Sequence, residues 1–223
     1  MYECVNISKI YPSSIDTSEV AALKNITITI TRGEFLAITG PSGSGKSTLL
    51  NILGLLDDPS SGQLYIDKQP APKSGSRKAS DLRGGTISFI FQRYNLFPEL
   101  SALDNLLIAL KYSKRPINRK LAMSALDDVG LIDRMNHKPR HLSGGEQQRI
   151  AIARSLVVEP NIILADEPTG SLPSAMNNEI INLFKKINSR GTTVIIVTHN
   201  EYIAKEAKSH LMLYDGCLNE NQF

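Results

Sequence analysis

Gly40-Pro-Ser-Gly-Ser-Gly-Lys-Ser-Thr48 puts three glycines, one lysine and four hydroxyl side chains into nine residues. The apolar run Phe35–Thr39 leads in, and Leu49-Leu50-Asn51-Ile52-Leu53 follows with a helical pattern. This is the G-x-x-x-x-G-K-[ST] loop in its strand–loop–helix setting. Gly40, Gly43 and Gly45 let the backbone curl until its N–H groups converge on an anion, and the following helix adds its positive end. Ser42, Ser44 and Thr48 complete the cradle. Lys46 supplies a point charge for β- and γ-phosphates, and Ser47 a hydroxyl for Mg²⁺.

A second constellation closes the apolar stretch Ile162-Ile-Leu-Ala-Asp-Glu-Pro168 with two carboxylates. Ligands bind at strand ends in parallel α/β sheets. Asp166 suits Mg²⁺ through a water, because that ion prefers oxygen ligands and keeps part of its hydration shell. Glu167, pointing the other way, is placed to orient or deprotonate an attacking water.

A third, Leu142-Ser-Gly-Gly-Glu-Gln-Gln-Arg149, opens the helical run Ile150–Leu156. Ser143 and Glu146 have capping-box spacing. Stability alone does not call for Gly144 and Gly145, which let a phosphate approach the backbone. Helix cap and phosphate ligand therefore compete for the Ser143 oxygen.

The elements that must carry these residues follow from hydrophobic periodicity. Strands are expected over Tyr2–Ile7, Ile26–Ile30, Phe35–Thr39, Gln63–Ile66, Thr86–Phe91, Ile162–Ala165, Thr193–Val197 and His210–Leu213. Turn signals stand at Arg32-Gly33, Ser61-Gly62, Gly84-Gly85 and Asp215-Gly216. Between Ser101 and Val158 the pattern is helical. Ser101-Ala-Leu-Asp104 caps one helix, and Asn118–Val129 forms another that Gly130 stops. A last helix runs from about Ser174 to Arg190, with its stripe on Met176, Ile180, Ile181, Phe184 and Ile187.

The expected architecture is α/β: a P-loop NTPase core with a mixed sheet flanked by helices, an inserted all-helical subdomain and an N-terminal antiparallel β-region. Residues 1–98 and 159–223 form the core of one domain, and residues 99–158 the helical lobe that carries the Ser143 motif.

Composition narrows the function. The 223 residues are 41% hydrophobic and 21% charged, a globular balance, and the net charge of +3 is no nucleic-acid footprint. Lys73, Arg77, Lys78 and Arg83 cluster among Pro, Gly and Ser and read as a solvated loop. Cys4 and Cys217 are expected to be free thiols of a reducing compartment. There is no signal segment at Met1–Asn6 and no apolar run long enough to cross a bilayer, so a membrane role requires a partner.

Taken in order, the cradle at 40–48, Gln92, Leu142–Glu146, the acidic pair 166–167 and His199 resemble the ATP-binding subunits of ABC transporters over essentially the whole chain. The stretches Asn51–Asp57, Phe91–Phe97, Leu164–Gly170 and Val197–His199 are most similar to the branch of lipoprotein-release and macrolide-export ATPases, to which a cell-division ATPase is close. The resemblance implies ATP and Mg²⁺ as ligands and ATP hydrolysis as the reaction. It implies that Tyr11 stacks on adenine, that Gln92 touches Mg²⁺ and senses the γ-phosphate, and that His199 bonds that phosphate. It also implies a head-to-tail homodimer with ATP between the cradle of one copy and Ser143–Glu146 of the other. The partner would be a separate membrane permease, contacted near Gln92–Leu100 from the cytoplasmic face, for export or extraction of a lipoprotein, peptide or drug-like cargo. A mechanical regulator of the cell-division type is the alternative, and nucleic acid is not an expected partner. Two departures stand out. Thr169-Gly-Ser-Leu-Pro173 has proline where the family has aspartate, and Asn200 follows the histidine where aspartate is common.

Overall fold

The computed structural model describes residues 1–12 and 19–219. Two sheets share the chain. An antiparallel sheet comprises β1 (Tyr2–Pro12), β2 (Glu19–Ile30), β4 (Ser61–Ile66) and β5 (Gln69–Pro70), in the order β2-β1-β4-β5. The second contains β3 (Phe35–Thr39), β6 (Ile87–Ile90), β7 (Ile162–Asp166), β8 (Thr193–Val197), β9 (Ser209–Tyr214) and β10 (Cys217–Asn219), in the order β10-β9-β3-β8-β7-β6. Its strands pair in parallel except for β10, which folds back on β9.

Strands β3, β7 and β8 are apolar almost throughout because both faces of the sheet are covered. Ile163, Ala165, Val194 and Ile196 face one core with α3 (Ala102–Lys111), α5 (Gly144–Leu156) and α6 (Asn177–Ser189). Leu36, Ile38, Leu164, Ile195 and Val197 face the other, with Leu49, Ile52 and Leu53 of α1 (Lys46–Leu53). The period-2 alternation thus splits one sheet between two cores. Helix α4 (Arg119–Asp128) completes the helical lobe, and α7 (Glu201–Lys205) lies between β8 and β9.

The caps explain where helices begin. Ser101 Oγ accepts from the Asp104 N–H at 3.1 Å, and Asn118 Oδ1 from the N–H groups of Lys120 and Leu121. Among the described residues no helix is long and apolar enough to cross a membrane. Cys4 is buried and Cys217 exposed, both as free thiols, and burial pushes the Cys4 thiol up to about 12.

Several expectations need correction. The basic stretch is no loop: Arg77–Arg83 forms helix α2, capped by Ser76. Arg83 turns inward and donates to the carbonyls of Leu55 and Ser74, so a charge that looked solvated ties two loops together. Ser61-Gly62 opens β4 rather than ending a turn, since Gly62 sits where β1 and β4 change register beside Asn6. β1 and β2 run longer than their apolar segments because they pair with each other along exposed polar positions. The last helix starts with a 3₁₀ turn at Ser174–Met176 and becomes α-helical at Asn177. The short strands β5 and β10 carry no apolar pattern and were not expected.

Candidate active site

The ends of β3, β7 and β8 open on one cavity of about 700 Å³, lined by Ala22, Ser42, Gly43, Gly45, Lys46, Ser47, Thr48, Gln92, Asp166, Glu167 and His199. Residues far apart in sequence meet here because these strands lie side by side and point the same way.

The cradle is fixed by its backbone. Gly45 has φ 101°, and a Cβ there would lie 2.3 Å from the Ala22 carbonyl oxygen, so no other residue fits that turn. Gly43, at φ 80°, has nothing within 4 Å of its would-be Cβ and leaves its backbone open to the cavity. Lys46 begins α1, 8% exposed, with its ammonium donating at 2.8 Å to the carbonyls of Gly40 and Pro41. An ammonium has three protons, so one remains for a ligand. The Ser44 hydroxyl is buried without a hydrogen-bond partner. An open glycine, a free ammonium proton and a helix N-terminus together form a cradle that fits a phosphate chain.

Across the cavity Ser47 Oγ donates to Asp166 Oδ1 at 3.2 Å. Burial, and then the neighbouring Glu167 charge, raise the Asp166 carboxyl above its ordinary range, against the opposing Ser47 bond and Lys46 charge. A cation there relieves that penalty. The oxygens of Ser47 and Asp166, with Gln92 in the same wall, fit Mg²⁺, which uses one or two protein oxygens beside phosphates and water.

Glu167 leaves the strand with φ 45°, a left-handed conformation that turns its side chain away from Asp166. Its Oε1 lies 2.8 Å from His199 Nδ1, and its Oε2 accepts from Thr198 Oγ1 at 3.1 Å. Thr198 escaped sequence reading: a buried threonine after an apolar strand carries no signal until its partner is known.

Gly40, the buried Ser44, Tyr11 and the Ser143–Glu146 motif, all expected at the nucleotide, lie outside the cavity wall. The Tyr11 hydroxyl donates to Asp57 Oδ2 at 2.7 Å, and the Lys9 ammonium stands 4.9 Å from its ring centroid. The Ser143 motif forms the full capping box: Ser143 Oγ accepts from the Glu146 N–H at 3.3 Å, while Glu146 Oε2 accepts from the Ser143 N–H and hydroxyl at 2.8 Å each. Those bonds, with the nearby Arg134, hold the Glu146 carboxyl below its usual range. The glycines keep the helix tip narrow, with Tyr94 Oη 2.9 Å from a would-be Gly144 Cβ and Met176 Sδ 2.6 Å from that of Gly145. Asn200, in place of the common aspartate, caps α7 by accepting from the Tyr202 N–H.

The sequence model of the ABC transporter family matches residues 23–170. An uncharacterized ABC transporter ATP-binding protein of Bacillus subtilis, YvrO, is 45% identical over 95% of this chain and 92% of its own length. The macrolide export ATP-binding/permease protein MacB of Bdellovibrio bacteriovorus is 45% identical over all of this chain, which spans only 34% of that relative. Among solved structures, a dimeric ATP-binding cassette in a post-hydrolysis state bound to ADP and Pi superposes with a TM-score of 0.89 at 40% identity, over the whole of both chains. With the cradle, the carboxylate pair and the capped glycine helix in place, the chain belongs to the ABC transporter family, as an ATPase cassette.

Proposed function

We propose that two copies close head to tail around two ATP molecules, hydrolyse them, and thereby drive a separate membrane permease from its cytoplasmic side. The convergence of the cradle, Asp166 and the Glu167–His199 pair in one cavity carries this reading. The Ser143 helix tip supports the dimer. It is a second phosphate-type N-terminus, outside the cavity wall of its own chain, and a second copy brings it to the nucleotide.

Cradle amides and the free proton of Lys46 bind the phosphates. Ser47, Gln92 and Asp166 would hold Mg²⁺, which neutralises charge on the β- and γ-phosphates when bound. Glu167 orients a water for in-line attack and takes its proton. A carboxylate has about four lone-pair sites, so the bonds from His199 and Thr198 leave room for that water. His199 fixes the Glu167 rotamer and presents its other ring nitrogen toward the γ-phosphate. Tyr11, beside the cradle, receives the adenine.

The finer reading is export or extraction of a drug-like, lipidated or peptide cargo, with the permease docking near Gln92–Leu100. The half-exposed Phe97 in that stretch suits an apolar partner. The test is light scattering with Mg-ATP. Glu167→Gln should trap a dimer that Lys46→Ala cannot form, and wild type should release phosphate. A Glu167→Gln variant that stays monomeric at saturating Mg-ATP sinks the sandwich.

A further inference from the structure

The turn after Gln92 is strained. Tyr94 and Asn95 both adopt left-handed backbone, at φ 50° and 49°, and neither is glycine. Such conformations persist only where the surroundings over-determine them. Backbone bonds from the Tyr94 and Asn95 N–H groups to the Phe91 and Arg93 carbonyls close the turn, and one side chain holds both of its carbonyls. Arg154, half-buried in the last turn of helix α5, donates from Nη2 to the Tyr94 carbonyl at 3.0 Å and from Nη1 to the Asn95 carbonyl. Burial lowers its pKa, and among the described residues no carboxylate lies within salt-bridge range of it. A partly desolvated guanidinium without a counter-ion is an expensive way to pack a helix. Its fork matches two successive carbonyls, which an ammonium cannot do as well.

The same turn touches both halves of the chemistry. On one side Gln92 lines the nucleotide cavity, and its carbonyl accepts from Ser171 Oγ at 3.3 Å. On the other, the Tyr94 hydroxyl lies against Gly144 at the tip of the helix that carries Arg154. Downstream, Asn105 holds the Phe97 N–H and the carbonyls of Phe97 and Leu100.

We infer that Arg154 is a positioning residue for ATP hydrolysis: by clamping the strained Tyr94–Asn95 turn it sets Gln92 at the nucleotide and Tyr94 against the Ser143 helix tip. This rests on the ATPase reading above, so its test has one arm independent of catalysis. The peptide bond after the exposed Arg93 is a trypsin site directly before the turn. Arg154→Met keeps the apolar stem and removes the donors. Tryptic cleavage after Arg93 should rise about tenfold, with cleavage after Lys111 unchanged. The kcat should fall about tenfold, with KM for ATP within about twofold, and adding Arg154→Met to Gln92→Ala should lower kcat by less than about twofold. Arg154→Lys, read in the same way if the methionine variant does not fold, should show smaller changes of the same sign. Unchanged cleavage after Arg93, a native kcat, or losses that multiply with those of Gln92→Ala each overturn the inference. A wild-type chain without ATPase activity would sink the ATPase reading alone, leaving the cleavage arm to decide whether Arg154 clamps the turn.

Discussion

Glu167 and His199 are joined by a 2.8 Å hydrogen bond between Oε1 and Nδ1, although 31 residues separate them in the chain. Parallel pairing of β7 with β8 sets Asp166 opposite Val197, so the residues that follow each strand meet just beyond the sheet. With Glu167 ionised, Nδ1 carries the proton, and the Nε2 edge is left for the cavity. An exposed imidazole thereby immobilises a largely buried carboxylate. The first consequence is an asymmetry between the two residues.

Glu167→Gln should lower kcat by about 10²–10⁴-fold, the usual contribution of a general base, with little change in KM. The amide keeps an oxygen for Thr198 or His199, so the fold should hold. His199→Ala removes the orienting group but leaves the base, and its kcat loss should be smaller. Steady-state phosphate release measures both. A histidine variant as impaired as the glutamine variant would make His199, rather than Glu167, the central group.

Ser143 caps α5 and, in the proposed closed dimer, would face the γ-phosphate; glycine separates the two roles. At an N-cap, serine to glycine costs only a few tenths of a kcal/mol, whereas alanine costs about 1 kcal/mol. Ser143→Gly should therefore unfold in urea close to wild type. A hydrogen bond to a charged group contributes about 1.5–3 kcal/mol, so its ATP-driven dimer should weaken about tenfold or more. Sedimentation with Mg-ATP reads the dimer. Native dimerisation in Ser143→Gly would confine the hydroxyl to helix capping.

The cradle, the acidic pair and the capping box were legible because each is local: backbone curl, strand end and helix cap are written in adjacent residues. The apolar strands β3 and β8 were legible end to end for a related reason, since double-faced burial removes every polar interruption. What escaped depends on distant partners. Arg83 and Arg154 look like solvent-facing charges in sequence, and only the carbonyls they reach make them structural. Thr198 is one more β-branched residue until Glu167 arrives beside it. Strands β5 and β10 exist because a neighbouring edge offers unpaired backbone groups, a requirement invisible in segments of two and three residues.

Asp128 ties the helical lobe to the core through Arg190 Nη2 at 3.0 Å and Lys186 Nζ at 3.3 Å. Hydrogen bonding from Arg190 leads in holding its carboxyl below the ordinary range. A depressed carboxyl stabilises the fold at pH values above its unfolded pKa, and that contribution is lost as pH falls through the folded pKa. The pairs are half-exposed, so Asp128→Asn should cost only about 0.5–1 kcal/mol at pH 7. The deficit should shrink in high salt and vanish in acid, once wild type is protonated as well. Urea melts across pH check this, and a deficit that persists in acid would mean lost packing rather than lost charge.

Pro173 stands where relatives of this fold were expected to carry an aspartate, and its setting shows what the proline does. At φ −56° it starts the 3₁₀ turn, its carbonyl accepting from the Met176 N–H at 2.9 Å. Leu172 on one side reaches toward Gly144, and Met176 on the other covers Gly145. The proline thus stiffens a segment lying on the helix tip that would meet ATP in the proposed dimer, and offers no side-chain acceptor there. Pro173→Asp restores a carboxylate and an N–H, and frees the backbone. It should lose about 0.4–1 kcal/mol of stability through a less restricted unfolded chain. If the segment carries signals between the two sites, the same change should raise the Hill coefficient of ATP hydrolysis. A variant with the expected loss of stability but an unchanged Hill coefficient and rate would show that Leu172–Met176 only packs against the glycine pair.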